Sequence, residues 1–294
     1  LPMASTTKIA TALTVLDELT ENGDESRLDE TFSVPASCCG VEGSSVYLKE
    51  GEDTTARELL YGLMLRSGND CAATLAVRVS GSIKKFAEKM NQTAMRAGAL
   101  HTRFKNPHGL PEKGHYTTAR DLSMITALAL ENKTFAKIVN TRRYEPKNWT
   151  NKNKMLAEYD GAFGVKTGYT KQAGRCLVSA AERNGMSLIC TALNCSDTYG
   201  ESKKLLDDAF AAYDLSLLQA AESPVPLDTK AGKISAKTGK DLRYPLLSAE
   251  LPYVKKTTIA FESPQKDGNG REIYGQLRIY LANSLLFSEN LFKL

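Results

Sequence analysis

Helices around an antiparallel sheet, followed by a small all-β domain, is the α+β architecture this sequence predicts. Three observations carry it. Apolar residues recur at helical spacing through the first half of the chain. Three β-type runs lie between 162 and 193, the last two joined by Asn184-Gly185, a strong hairpin signal. After Ser223-Pro224-Val225-Pro226 the pattern becomes short β runs with polar turns to the end. The 294 residues suffice for about two domains. A boundary near 220 gives a first domain over 1–218 and a second over 219–294.

Residues 5–20 read as a helix, with Ile9, Ala12, Leu13 and Leu16 at helical spacing and Ser5 as its N-cap. Residues 30–55 are Gly/Ser/Thr-rich with short β-like runs such as Ser45-Val46-Tyr47-Leu48. Helices are predicted over 55–66 and 70–79, broken at Ser67-Gly68-Asn69, and over 82–97, ended by Gly98. Residues 101–116 form a Pro/Gly/His loop. A helix over 117–130 is capped by Thr117 or Thr118, with Asp121 in its first turn. Strands are expected over Ala162–Thr167, Arg175–Ala181 and Ser187–Leu193, then a final helix over 199–219. No internal repeat is visible.

Composition narrows the function classes. Apolar residues at 42% and charged residues at 24% are those of an ordinary folded protein and exclude a disordered chain, a collagen or a coiled coil. The net charge of +4 is scattered, so no basic stripe favours nucleic acid. No run of about 18 apolar residues exists to span a membrane. The six Cys include no C-x-x-C pair, and His101, His108 and His115 recur every seven residues, so no metal site and no cofactor is implied. Cys176 and Cys190 sit in apolar runs and read as small core residues, while vicinal Cys38-Cys39 is unusual. The stretch opens Leu-Pro-Met, without a signal peptide. A functional residue at position 5 would be poorly held by a free terminus, which predicts natural sequence upstream.

Three motifs carry chemistry. Ser5-Thr6-Thr7-Lys8 places an amine and a hydroxyl on one helix face, since i and i+3 are neighbours. Serine is a weak nucleophile until a base takes its proton, and a lysine acts as base only when desolvation or a nearby cation lowers its pKa. Ser67-Gly68-Asn69, at a break between helices, offers a hydroxyl to relay a proton and an amide to orient Lys8 or a substrate. Lys166-Thr167-Gly168 ends the apolar strand Ala162–Val165; an edge strand there can pair with an extended substrate, Gly168 leaves room for its approach, and Lys166 brings a second positive charge. Each motif alone is weak. Lys237-Thr238-Gly239 repeats the third, but sits in a polar run and reads as a decoy turn. Only 5–8, 67–69 and 166–168 form an ordered set, the triplet of class A β-lactamases and penicillin-binding proteins.

The flanks of these motifs resemble the low-molecular-mass penicillin-binding proteins of the D-alanyl-D-alanine carboxypeptidase family. The matching stretches are LPMASTTKIATALTVLD, TARELLYGLMLRSGNDCAATLA, FKNPHGLPEKGHYTTARDL and YDGAFGVKTGYTKQAGRCLVSAAERNGMSLI, with ESKKLLDDAF closing the domain. The resemblance covers roughly 1–215 and implies a β-lactamase/transpeptidase-like first domain. It implies Ser5 as the acylated nucleophile, Lys8 as its base, and Ser67 and Asn69 as the rest of the proton network. It implies that Lys166 and Thr167 hold the substrate's terminal carboxylate, and that the backbone N–H groups of Ser5 and Tyr169 form an oxyanion hole beside Gly168. The expected partners are a peptidoglycan stem peptide ending in D-Ala-D-Ala and β-lactam antibiotics. The expected place of action is outside the cytoplasm, with any membrane anchor following Leu294. Two features depart from the family pattern. Family members carry their first strands ahead of the Ser motif, whereas this sequence opens four residues before Ser5, and Asn194–Gly200 lacks the basic residue that family members often carry there.

A D,D-carboxypeptidase is the leading expectation. A β-lactamase would need a carboxylate to activate the deacylating water, and Glu145 is a poor candidate unless buried beside Ser5. A penicillin-sensing receptor that is acylated without turnover would be fused to a transmembrane segment. His108 is expected to shape its loop, Arg120 to form a structural salt bridge, and Tyr144 and Trp149 to line a groove or cover the core.

Overall fold

Ile9, Ala12, Leu13 and Leu16 lie on a helix with almost no exposed face. In the computed structural model, which describes residues 1–230 and 232–294, α1 (Lys8–Leu19) is buried at every position from Lys8 to Leu16 and again at Leu19. Small Ala and Thr side chains let its neighbours approach from all sides. A buried hydroxyl needs a partner; Thr11 Oγ1 donates to the Pro107 carbonyl at 2.6 Å, and Thr14 pairs with Thr93 at 3.0 Å.

Ser5 is not the N-cap. It sits in a 3-10 turn, Ala4–Thr7, that precedes α1. Thr6 and Thr7 donate their hydroxyls back to the Met3 and Ala4 carbonyls at 2.6 and 2.8 Å, and these bonds hold the turn without Ser5. The residues before this turn are held as well. The Leu1 ammonium donates to the Thr117 carbonyl at 2.7 Å, the Thr117 N–H donates to Leu1 at 2.9 Å, and Met3 is fully buried.

β1 (Thr31–Ser33) and β2 (Asp53–Thr55) pair antiparallel. Between them, Ser45–Leu48 is not a strand. Asp70 captures its donors: the carboxylate accepts from Ser45 Oγ at 2.5 Å and from the N–H groups of Val46 and Leu48 at 3.1 Å. α2 (Ala56–Tyr61), capped by Thr55, runs into a π-helical turn, Gly62–Arg66. The chain then breaks at Ser67 and restarts as α3 (Asn69–Ser80). α4 (Ile83–Arg96) is capped by Ser82 and is followed by Gly98 at φ +73°. α5 (Ala119–Leu130) is capped by Thr118, not Thr117. α6 (Lys133–Asn140) was not foreseen; Asn132 caps it, and it buries Phe135, Ile138 and Val139. A short hairpin, β3 (Arg143–Tyr144) and β4 (Trp149–Thr150), and the single turn α7 (Met155–Glu158) lead to the sheet.

β5 (Ala162–Thr170), β6 (Gly174–Arg183) and β7 (Met186–Ala192) form that sheet in the order β5-β6-β7, so β5 is an edge. Asn184 and Gly185 both have positive φ, as a two-residue hairpin turn requires. α8 (Thr198–Ala212) follows the sheet. Helices and sheet share one core, with Phe86, Phe104, Phe135, Val165 and Val178 buried in it or against it.

The helix does not continue to 219. Residues 213–219 are a strand, β8 (Tyr213–Gln219), because they pair antiparallel with Leu242–Leu247. The chain divides into Leu1–Arg183 with Ser187–Asp207, and Asn184–Met186 with Asp208–Leu294. The expected break at 218–219 therefore falls at the end of a strand belonging to the second unit. That unit adds β9 (Val225–Thr229), β10 (Gly232–Thr238), β11 (Leu242–Leu247), β12 (Val254–Lys266), β13 (Glu272–Leu281) and β14 (Ser284–Lys293). Five of its strands form a sheet in the order β12-β13-β14-β10-β9. Along β13, Ile273, Gly275, Leu277 and Ile279 point inward at period two, onto a core with Leu227, Ala236 and Leu291. Lys237 and Thr238 end β10, and Gly239 follows in a bend; Thr238 is buried, and Lys237 pairs with Glu222 at 2.7 Å.

Candidate active site

The 3-10 turn, the start of α1, the break before α3 and the loop at 106–110 converge on one nitrogen. Lys8 Nζ is fully buried and donates to Ser5 Oγ at 2.9 Å, to Asn69 Oδ1 at 2.7 Å and to the His108 carbonyl at 2.7 Å. Two of these partners can only accept. The third, a hydroxyl, can also donate. When Lys8 is neutral, its two N–H groups stay on Asn69 and His108, and its lone pair falls on Ser5. Burial pushes the Lys8 ammonium well below the ordinary lysine range, and the charge of Lys166 adds to this. The geometry therefore favours an amine that accepts the Ser5 proton.

Each partner is fixed in turn. Asn69 Nδ2 donates to the Glu42 carbonyl at 2.5 Å, which orients the amide so that its oxygen faces Lys8. The His108 ring is neutral, lowered to about 3 by burial and then by Lys8. Its Nδ1 accepts from the Leu110 N–H at 3.2 Å, so the ring shapes the loop and its carbonyl serves Lys8. His115, lowered to about 4 mainly by burial, takes the Lys105 N–H on Nδ1, so Nε2 carries the proton and donates to Thr7 Oγ1 at 2.9 Å. Gly109 has φ +86°, and a Cβ there would fall 1.9 Å from the Ala4 carbonyl; the loop packs directly on the turn that carries Ser5.

Ser67 is buried and adopts φ +65°, a left-handed conformation unusual for a residue with a side chain. Among the described residues its hydroxyl has no hydrogen-bond partner, so the structure joins Ser5, Lys8 and Asn69 but leaves Ser67 unbonded. Lys166 is buried on β5, lowered to about 7 by burial and then by Lys152, and donates to the Thr167 carbonyl at 2.9 Å. At Gly168 a Cβ would lie 3.1 Å from the Ser5 and Thr6 nitrogens, so the absence of a side chain there lets the Ser5 turn pack close against β5. Tyr169 is exposed at the open edge of the sheet.

Other candidates separate from the site. Glu145 is exposed and pairs with Arg143 at 3.2 Å. Arg120 is exposed and makes no ion pair among the described residues, so the expected salt bridge is absent. Tyr144 stacks on Tyr61 at 4.2 Å, and with Trp149 it covers the core. All six Cys are free, with Cys176 and Cys190 buried. Among the described residues no cluster of His, Cys, Asp or Glu is placed to hold a metal ion, and no helix is long and apolar enough to cross a membrane. Sequence reasoning missed the His108 carbonyl and Glu42, which act through the backbone, and Lys152, a cation that weighs on both Lys8 and Lys166.

An α+β domain with a Ser–Lys pair, its lysine buried and its serine partly exposed, beside an edge strand is a build suited to serine acyl transfer. The chain belongs to the peptidase S11 family, D-alanyl-D-alanine carboxypeptidase, whose model matches residues 1–197. It is 32% identical over 257 residues to D-alanyl-D-alanine carboxypeptidase DacF of Bacillus subtilis, covering 84% of this chain and 64% of that protein. It thus spans less than two thirds of that relative's length. The Streptomyces K15 DD-transpeptidase structure is 34% identical with a TM-score of 0.66, over 71% of this chain and 88% of that one. Penicillin binding protein 5 from Haemophilus influenzae shares the fold at 24% identity, with a TM-score of 0.79 over 100% and 90% of the two chains.

Proposed function

We propose that this chain is a serine-type D-Ala-D-Ala carboxypeptidase that removes the terminal D-Ala from peptidoglycan stem peptides outside the cytoplasm. The observation that carries the reading is the three-way bonding of buried Lys8 to Ser5, Asn69 and the His108 carbonyl. Ser5 Oγ attacks the penultimate D-Ala carbonyl while its proton passes to Lys8 Nζ. The oxygen of the tetrahedral intermediate rests on the N–H groups of Ser5 and Tyr169, an interaction worth about 3 kcal/mol in related chemistry. As the C–N bond breaks, the leaving D-Ala amine takes the proton back from Lys8, with the Ser67 hydroxyl as relay. Water then attacks the Ser5 ester while Lys8 again accepts the proton; the acyl C–O bond breaks, Lys8 returns the proton to Ser5 Oγ, and the shortened peptide leaves. The substrate lies along the free edge of β5, with its C-terminus toward Thr167 and Lys166. A β-lactam presents a strained amide in place of the scissile bond and acylates Ser5.

The first unit carries this chemistry. Glu145, exposed and paired with Arg143, supplies no carboxylate for rapid deacylation, which favours a peptidase over a β-lactamase.

The test is D-Ala release from a D-Ala-D-Ala-terminated peptide, with the mass of the intact chain after incubation with penicillin. The chain should release D-Ala and gain one whole penicillin, and Ser5→Ala should do neither. Equal release by both proteins would end the proposal.

A further inference from the structure

We propose that Arg175 supplies the fixed positive charge that recognises the substrate's terminal carboxylate, a specificity role that rests on the carboxypeptidase reading. A cavity of about 320 Å3 opens beside the end of β5, lined by Thr167, Tyr169, Arg175, Thr198 and Tyr199 together with Gly168 and Cys176. Arg175 is the one charged side chain among the described residues lining it.

Strand geometry puts that charge where a carboxylate would lie. Side chains alternate along a strand, so Lys166 and Gly168 share one face of β5, and Thr167 and Tyr169 share the other. The Gly168 face is the one against the Ser5 turn. Arg175 stands directly opposite Tyr169 in the β5–β6 register, and Thr167 is its diagonal neighbour. Diagonal pairs lie about 7–8 Å apart at Cα, within reach of a long side chain. A guanidinium from Arg175 can therefore meet a carboxylate held by the Thr167 hydroxyl.

The guanidinium is also uncommitted. Arg175 is exposed, and among the described residues its side chain has no ion-pair or hydrogen-bond partner. The stretch Asn194–Gly200, which contributes Thr198 and Tyr199 to the cavity, holds no Lys or Arg. Its acid, Asp197, is occupied by the Gly200 N–H at 2.9 Å. Lys166 is less suited to a permanent charge, because burial draws it to about 7. An Arg fork, by contrast, stays charged and matches the two oxygens of a carboxylate.

The experiment compares a D-Ala-D-Ala-terminated peptide with its C-terminal amide, for the unaltered chain, Arg175→Gln and Arg175→Lys. Arg175→Gln should lose about tenfold to a hundredfold in kcat/KM on the free acid, mainly through KM, and stay within about twofold on the amide. Arg175→Lys should fall between. Acylation by a carboxylate-bearing penicillin should slow by a similar factor in Arg175→Gln. Unchanged discrimination between acid and amide overturns the assignment, as does an equal loss on both, which would mark a structural role. If the unaltered chain neither releases D-Ala nor gains a penicillin, the carboxypeptidase reading falls and takes this assignment with it. Penicillin capture by the unaltered chain with unchanged discrimination removes the assignment alone.

Discussion

Asn69 Oδ1 lies 2.7 Å from Lys8 Nζ, and the opposite end of the same amide is bound to the Glu42 carbonyl. The amide cannot flip without setting its oxygen against a carbonyl, so it presents an acceptor to Lys8 permanently. Asn69→Asp would place a negative charge there and stabilise the ammonium. The acid limb of the pH profile for penicillin acylation should move up by about one unit or more. A profile unmoved from the parent's would show that Asn69 does not set the Lys8 proton affinity.

The buried lysines make stability rise with pH. Lys166 is held at about 7 in the fold, whereas a lysine in the unfolded chain titrates near about 10.4. Between these values the unfolded chain binds the extra proton, and raising the pH favours the fold. Lys8 acts in the same direction. Above the ordinary thiol range the buried Cys71, Cys176 and Cys190, whose pKa values are raised, act in the opposite sense. From pH 7 to 8.5 the Lys166 contribution alone amounts to about 2 kcal/mol. Urea unfolding should show this gain, and Lys166→Met should reduce its slope; an equal slope in the variant counts against a buried, neutralised lysine.

His115 gives a second pH effect at the acid end. Its folded value of about 4 lies below the unfolded value near about 6.5. The stability it contributes is present above the unfolded value and is lost as pH falls toward 4, by about 3 kcal/mol. An NMR titration of the ring should show it neutral at pH 5.5, with the proton on Nε2. A ring that titrates near 6.5 would contradict the bond that Nδ1 accepts from the Lys105 N–H.

Gly168→Ala tests the contact between the sheet and the Ser5 turn. The new Cβ would stand 3.1 Å from the nitrogens of Ser5 and Thr6, so the turn must move by a few tenths of an ångström. Acylation by penicillin should slow by about tenfold or more, since catalytic geometry is steeply sensitive to such displacement. Thermal stability should change far less. Unaltered acylation kinetics would show that the turn tolerates the shift.

Local signals account for what the sequence made legible. The 3.6-residue recurrence of Ile9, Leu13 and Leu16, the break at Ser67-Gly68-Asn69 and the Asn184-Gly185 turn each need only a few neighbouring residues to be read. Lys8, Asn69 and Ser5 were named from motif spacing, and they meet. What was missed depends on distant partners. The His108 carbonyl reaches Lys8 across 100 positions, and a backbone oxygen leaves no mark on a side-chain pattern. Ser45–Leu48 has the composition of a strand, but its donors belong to Asp70. Residues 213–219 continue a helix-like apolar pattern, and only pairing with β11 makes them a strand. That the Ser5 turn packs against Gly168 is likewise a contact between distant segments, which the motif alone does not show.

The Asp70 cluster changes what sort of segment Ser45–Leu48 is. By backbone geometry it is an irregular loop, and loops usually exchange their amide hydrogens quickly. Here the Val46 and Leu48 amides end on a buried carboxylate at the head of α3. Their exchange then requires that carboxylate to let go, an event at the residue adjoining Asn69. Deuterium uptake at these two amides would consequently report opening of the site's floor, while Tyr47 between them, bonded only to the hydroxyl of Ser45, provides an internal reference in the same short peptide.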